Sequence, residues 1–413
     1  MGYTLAVKRK TKDGDSVFKK PALPMIFLLL YVFFLYVAQE TLLPPRLHSI
    51  IMYAFVAITL VSLLLKGGGR VPLPSYSLWY SALLLFSFFS FIWATNRTTD
   101  TVYTMIVSLV ITYCFLIVLN TKERLEACAK CFVLAADAMG LLLIVTGQFI
   151  ASEEGDRLGQ TVTGNANIFS ALMMIAAVFA IWLVIYKAKG LPKLGYLASY
   201  AFVLVMMALS GGRKTMVAVV VCTMFFIVFK NGTVPVKLIR NILIAVAVVI
   251  ALYYLIMNVP VLYEAIGVRF EELFKMLAGE TSGVDSDESR KELIVRALER
   301  WQERPLFGYG LDTFKYYNKS VGGKFYYAHN NYAEILYDLG IVGFLLYYGY
   351  VLKLTVSLLR AKGDHREYKM LGLGLIATLL FFDFGGVSYF TVMMQIVLCL
   401  AFLCKKHCEK PAP

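Results

Sequence analysis

Residues 167–186 read NIFSALMMIAAVFAIWLVIY, twenty consecutive positions without an Asp, Glu, Lys or Arg. A membrane-spanning helix needs about 20 mostly apolar residues, so this run is long enough to cross a bilayer. Working outward, runs of similar character occur at 24–39, 49–65, 76–95, 102–119, 128–150, 194–210, 215–230, 239–259, 333–359, 367–384 and 387–404. The last two are separated only by Asp383–Ser388, where Gly385-Gly386 favours a hairpin turn over one long buried helix. The expectation is an all-α, polytopic integral membrane protein of about twelve transmembrane helices with short linkers and no internal repeat. Residues 1–23 form a basic tail, 24–259 the first nine helices, 260–328 one large hydrophilic loop, 329–404 the last three helices and 405–413 a second tail.

Composition agrees. Of 413 residues 59% are hydrophobic and 16% charged, against about 25% charged in ordinary soluble domains, and mean hydropathy is +0.69. The first eighteen or so residues are polar and basic (Lys8, Arg9, Lys10, Lys12 among them), with no apolar stretch or small-residue cleavage site, so they read as a retained tail rather than a signal peptide.

Lys and Arg of short loops collect on the cytoplasmic side. With the N-terminus inside, 24 fall on the inner side and five outside (Arg46, Arg97, Arg157, Arg213 and Lys214). Both termini are therefore expected in the cytoplasm and loop 260–328 outside it. The net charge of +13 expresses this bias together with attraction to anionic lipid and calls for no nucleic acid. None of the seven cysteines lies in the large loop, so no disulfide framework is expected there. Cys128 and Cys131 form a C-x-x-C without a second ligand pair, which fits a structural role better than a metal site.

Cytoplasmic loops of at most about 15 residues leave no room for a nucleotide-binding domain, and no phosphate-binding Gly-rich loop is present. Chemistry, if any, belongs to the outer face. There Ser289-Arg290-Lys291-Glu292 fits a capping box opening an amphipathic helix that ends before Pro305. Arg290 in its first turn would suit an anion such as phosphate, the alternative being an ordinary solvated arginine.

The sharpest feature is His329-Asn330-Asn331-Tyr332-Ala333-Glu334, at the junction of the outer loop and the tenth helix, which Asn331 and Glu334 are expected to cap. An imidazole with a pKa near 6.5 can accept a proton at neutral pH, although a loop histidine taken alone is more often structural. Arg213 occupies a tight outer turn between helices seven and eight, while Arg157 and Gly164-Asn165-Ala166-Asn167 lie just before helix six. Ionisable groups at membrane depth are functional candidates by default. Asp383 is a weaker one, and Asp137 fits helix pairing.

These residues, with Pro305-Leu306-Phe307-Gly308-Tyr309-Gly310 and Gly340-Ile341-Val342-Gly343, resemble the O-antigen ligase and polysaccharide polymerase superfamily. The likeness covers about 150–345 by motif and the whole chain by topology. The family often has Ser-Arg at the intramembrane turn, where this chain has Gly212-Arg213.

The resemblance implies a glycosyltransferase-C-like bundle and an inverting, metal-independent transferase without cofactor. Its donor would be a glycan on undecaprenyl pyrophosphate at the outer leaflet of the bacterial cytoplasmic membrane, its acceptor a glycan or lipid-linked acceptor. His329 would be the general base; Arg213 and Arg290 would hold the pyrophosphate. Arg157, Asn167, Asn330, Tyr332 and Glu334 would contact substrate. A chain-length regulator would be a compatible partner. Polymerisation of repeat units is the first reading, ligation of finished polymer to lipid A core or another acceptor the second. A polysaccharide-lipid transporter or flippase is the third, disfavoured by the single large outer loop and the lack of a two-fold repeat.

Overall fold

The computed structural model describes residues 23–38, 44–66, 72–147, 158–232, 235–260, 263, 267, 271, 285–361 and 365–408. Regular structure among them is entirely helical, and the architecture is that of a polytopic membrane protein. In chain order the helices are α1 (Leu23–Val37), α2 (Pro45–Lys66), α3 (Ser75–Phe89), α4 (Thr99–Val118), α5 (Lys122–Val145), the single turn α6 (Gln160–Thr163), α7 (Ala166–Trp182), α8 (Gly190–Leu209), α9 (Arg213–Val228), α10 (Pro235–Asn258), α11 (Asp285–Trp301), α12 (Phe314–Ser320), α13 (Asn331–Arg360), α14 (Arg366–Asp383) and α15 (Val392–Cys408). Each apolar run of the sequence coincides with one of them. Seven helices among the described residues are both long and apolar enough to cross a membrane, and Leu23–Val37 and Lys214–Val228 are shorter apolar helices.

A helix apolar all round must be enclosed or face lipid. α7 is enclosed: 89% of its most apolar window is buried, against 11% for α2. α7 is thus a central pillar, contacting α5, α8, α9 and α14, whereas α2 lies at the rim against α1 and α4. Asp137 of α5 accepts a hydrogen bond from Ser199 of α8 at 2.6 Å and so pairs the two helices. A turn separates α14 from α15, as the glycines 385 and 386 suggest, but α15 begins only at Val392.

Several basic loops meet at one end of the bundle. Lys187 reaches Glu126 at 3.8 Å and Glu367 at 3.4 Å, Trp182 donates to the Glu367 carbonyl, and Tyr368 donates to that of Lys122. The opposite end carries α11 and α12, which build a second small core from Leu293, Ala297, Tyr309, Phe314, Ala328, Ala333 and Tyr337. α11 starts by Asp285, so Ser289 lies within the helix rather than at its N-cap, and Arg290 belongs to its second turn. The capping-box expectation is corrected on that ground: the charged segment before Ser289 continues the helix. Most of 261–284 lies outside the described residues.

The two ends of α13 are joined through a break. Gly340 has φ +64° and ψ −167°, conformations no helix contains. An unbroken helix would bond the Ile341 and Val342 amides to the Tyr337 and Asp338 carbonyls. Instead those carbonyls accept from the amides of Tyr309 (2.9 Å) and Gly310 (2.8 Å), while Ile341 and Val342 donate to the carbonyls of Pro305 (2.8 Å) and Leu306 (3.2 Å). The opened turn is filled by the Pro-Leu-Phe-Gly-Tyr-Gly segment, and all four groups stay paired. Leaving any of them buried and unpaired would cost about 1–3 kcal/mol.

Glycine is required on both sides of this exchange. A Cβ on Gly308 would lie 2.5 Å from the Tyr337 carbonyl oxygen, and one on Gly340 2.3 Å from that of Leu306. Gly340→Ala, with a positive φ and backbone in the way, is expected to destabilise the protein by more than about 1 kcal/mol. Thermal unfolding in detergent, read against wild type, checks this; an unchanged midpoint would contradict it.

Candidate active site

At the α11–α12 end, the segment leading into α13 places His329. Its φ is +51°, a left-handed conformation seldom taken by residues other than glycine. Three side chains hold the backbone around it. Asn330 is the N-cap of α13, its side chain accepting from the Ala333 amide at 3.0 Å. Glu334 is fully buried, and one carboxylate oxygen accepts from the Ala328 amide at 2.6 Å. Asn331 donates to the Tyr348 hydroxyl at 2.7 Å and accepts from the Ser388 and Tyr389 amides at 2.9 and 3.2 Å, clamping the α14–α15 connection to the start of α13. Tyr348 in turn donates to Asp383, which is buried and belongs to this clamp.

The expected cap by Asn331 is therefore displaced by one residue. Glu334 braces the histidine-bearing loop from within, and Asn330 spends its carbonyl on the helix end. Tyr332 donates to the Leu380 carbonyl at 3.2 Å and stacks on Tyr348. Each of these three residues at the start of α13 thus has a partner within the protein.

His329 itself is half-buried, with its ring 5.9 Å from that of Tyr326. Burial, and then the positive charges of Arg290 and Lys214, lower its pKa from the ordinary value near 6.5. Arg290 is partly buried on α11. Lys214, at the start of α9, donates to the Phe384 carbonyl at 3.1 Å. Three separate elements thus bring the imidazole under the influence of two positive charges, which together with burial favour its neutral form. That arrangement can accept a proton from a hydroxyl while two positive groups receive anionic charge.

Arg213 opens α9 next to Lys214, but its side chain lies outside the described residues, as does Arg157 altogether. Asn167 is half-buried in the first turn of α7, its amide held by the Asn165 side chain at 2.8 Å. The turn before Arg213 packs against that same part of α7. A Cβ on Gly212 would lie 1.8 Å from the Ser170 hydroxyl oxygen and 2.5 Å from that of Thr215. Ser170 and Thr215 are hydrogen-bonded to each other there. Glycine before Arg213 is thus dictated by the serine opposite.

A second polar cluster was not singled out by the sequence. Asp338 is fully buried and accepts from the amides of Asp312 and Thr313, both at 3.0 Å, and from the Tyr389 hydroxyl at 2.7 Å. It thereby ties the turn leading into α12 to α13. Asp312, also fully buried, accepts from Thr101 at 2.5 Å and from the Lys315 ammonium at 2.6 Å. Burial pushes the Asp312 carboxyl above its usual range, while Lys315 and Thr101 oppose that shift. No group of three or more His, Cys, Asp or Glu side chains suited to a metal occurs among the described residues.

Residues 198–348 match the family model described as O-antigen ligase. The match runs from α8 into α13 and includes Arg213, Arg290, the 305–310 segment, His329 and Gly340, so it supports the O-antigen ligase and polymerase superfamily. No curated protein matches the chain.

Two measurements check the geometry. The His329 imidazole, followed by NMR in selectively labelled protein, should titrate below 6.5 and shift upward in Arg290→Gln, since removing a nearby cation favours the protonated form; a midpoint unmoved by the substitution would refute the electrostatic coupling. Gly212→Ser should lower thermal stability by about 1–3 kcal/mol through overpacking, and Ser170→Gly in the same chain should recover part of that loss.

Proposed function

We propose that this member of the O-antigen ligase and polymerase superfamily is an inverting glycosyltransferase that takes a glycan from undecaprenyl pyrophosphate at the outer leaflet. The observation that carries the reading is the half-buried His329, its pKa lowered by burial and by the charges of Arg290 and Lys214, within the segment the family match covers. The family implies lipid-linked glycan substrates and a membrane setting. We place the α11–α12 end outside the cytoplasm because the basic loops gather at the other end. Nucleotide sugars are absent there, so activation must arrive on a lipid.

In the proposed reaction His329 removes the proton from an acceptor hydroxyl as its oxygen attacks the anomeric carbon. The bond from that carbon to the phosphate oxygen breaks, and its electron pair leaves with undecaprenyl pyrophosphate. A single in-line displacement inverts the anomeric centre. Arg290 and Lys214 stabilise the charge growing on the pyrophosphate, with Arg213 sharing this role from the start of α9. These cations allow charge stabilisation without a metal ion. The positive-φ backbone of His329 lies between the Asn330 cap of α13 and the Ala328–Glu334 bond, which supports proton transfer by fixing where the residue stands.

Polymerisation of repeat units is the first reading and ligation of finished polymer the second, since donor and chemistry are shared and only the acceptor differs. Cells lacking the protein would carry single repeat units on the acceptor under the first, and polymer retained on the carrier lipid under the second. Purified protein with lipid-linked donor and acceptor, in the presence of a chelator and without nucleotide, should transfer sugar. His329→Ala should lower the rate at least about 10²-fold. Full activity in that variant would remove His329 from the mechanism, and no transfer by wild type would reject the transferase reading in favour of a transporter.

A further inference from the structure

A cavity of about 600 Å³ opens beside the second polar cluster, between the start of α4, the segment 315–327 and the connection into α15. Its size lies within the range of ligand sites, ~300–1,000 Å³. Three rings dominate one side: Tyr316, Phe325 and Tyr327, with Tyr316 and Phe325 edge to face at 5.1 Å. The start of α4 supplies Thr98 and Asp100, with Thr101 and Thr104, whose hydroxyls bond Asp312 and the Asp100 carbonyl.

Thr98 is the telling residue. It stands at the N-cap of α4, where a threonine side chain ordinarily accepts a bond from the helix amides, yet it makes no such cap. Only 8% exposed, its hydroxyl oxygen is buried without a hydrogen-bond partner among the described residues, and it lines the cavity. A buried hydroxyl left unpaired is unfavourable by itself, so its placement makes sense with something polar in the cavity. Lys315 does not turn this into an anion site. Its ammonium is 2.6 Å from Asp312 and bonds the Tyr327 hydroxyl at 3.3 Å, so its charge is already balanced. Aromatic faces for the C–H side of a ring, the unpaired Thr98 hydroxyl and the Asp100 carboxylate in the lining are the groups that recognise a neutral sugar.

We infer that this cavity, whose lining among the described residues includes neither Arg290 nor Lys214, the cations assigned to the pyrophosphate, binds the acceptor glycan. Tyr327 lines it and His329 follows two residues later on the same segment, so the cavity is built in part by the stretch that carries the base. The inference rests on the transferase reading for the word acceptor; the sugar-binding property stands apart from it.

The full chain in nanodiscs is titrated with the free repeat-unit oligosaccharide, released by mild acid from the lipid-linked pool of the producing cells, with binding read by saturation-transfer NMR. Phe325→Ala removes a half-exposed ring, and Thr98→Val removes a hydroxyl that bonds no protein group, so neither should disturb folding. Thr98→Val should weaken oligosaccharide binding ~3- to 10-fold, Phe325→Ala by at least as much, and both should raise the acceptor KM while leaving the KM of the lipid-linked donor unchanged. Unaltered oligosaccharide binding in both variants, or an equal loss of donor affinity, would overturn the inference. Wild-type binding that the variants weaken, in a protein that transfers no sugar, would keep the glycan site and reject the transferase reading. Transfer by wild type with variants that bind and react normally would do the reverse.

Discussion

The exchange of backbone hydrogen bonds at Gly340 is the constraint on which the α11–α12 end depends. Two helical bonds of α13 are opened, and their four groups are taken up by the 305–310 segment. Nothing is lost in hydrogen bonding, but the docked segment is fixed in register with the helix to the residue. Asp338, two residues before the break, accepts with its carboxylate from the amides entering α12 and from the Tyr389 hydroxyl. The hydrophilic loop is thereby attached to the bundle as firmly as one helix is to another.

From that attachment the setting of the histidine loop follows. Residues 327–329 lead into the N-cap of α13, with the Glu334 carboxylate holding the Ala328 amide. Arg290 and Lys214, carried by α11 and α9, act on His329 through their charge, while Tyr327 accepts a bond from Lys315, the partner of Asp312. The histidine takes its left-handed backbone because the cap at Asn330 and the brace at Ala328 leave the residue between them little choice. Asn331 then fixes the α14–α15 connection, so the same six-residue stretch organises three parts of the molecule.

The helices were legible in the sequence because an uninterrupted apolar run of that length satisfies its backbone in lipid only as a helix, and the order of motifs gave away His329 and Arg290 as candidates. Their surroundings were harder to read. The capping box at Ser289 was misplaced because a charged, soluble helix can start earlier without any apolar signal, and α11 does so. The roles of Asn330, Tyr332 and Glu334 depend on partners at Ala333, Leu380 and Ala328, of which only the first follows from local spacing. Lys214 was visible as an outer charge but not as a neighbour of His329, since 115 positions of chain separate them. Gly212 looked like a departure from the family, and only the packing of Ser170 across the interface accounts for it. The Lys315–Asp312–Asp338 cluster had no motif at all, because its logic is the burial of the turn that enters α12.

The break at Gly340 also bears on how the chain assembles. Pro305–Gly310 is made before Tyr337–Val342 and lies only about thirty residues upstream, so their pairing is local on the scale of the whole polypeptide and closes a short loop. Helix α11, the docked segment and the first turns of α13 share their own apolar cluster, separate from the main one. Such a unit meets the description of a cooperative subdomain that opens and closes as one. Its amides at Tyr309, Gly310, Ile341 and Val342 would then exchange with solvent deuterium on a common clock, even though two belong to a loop and two to a helix.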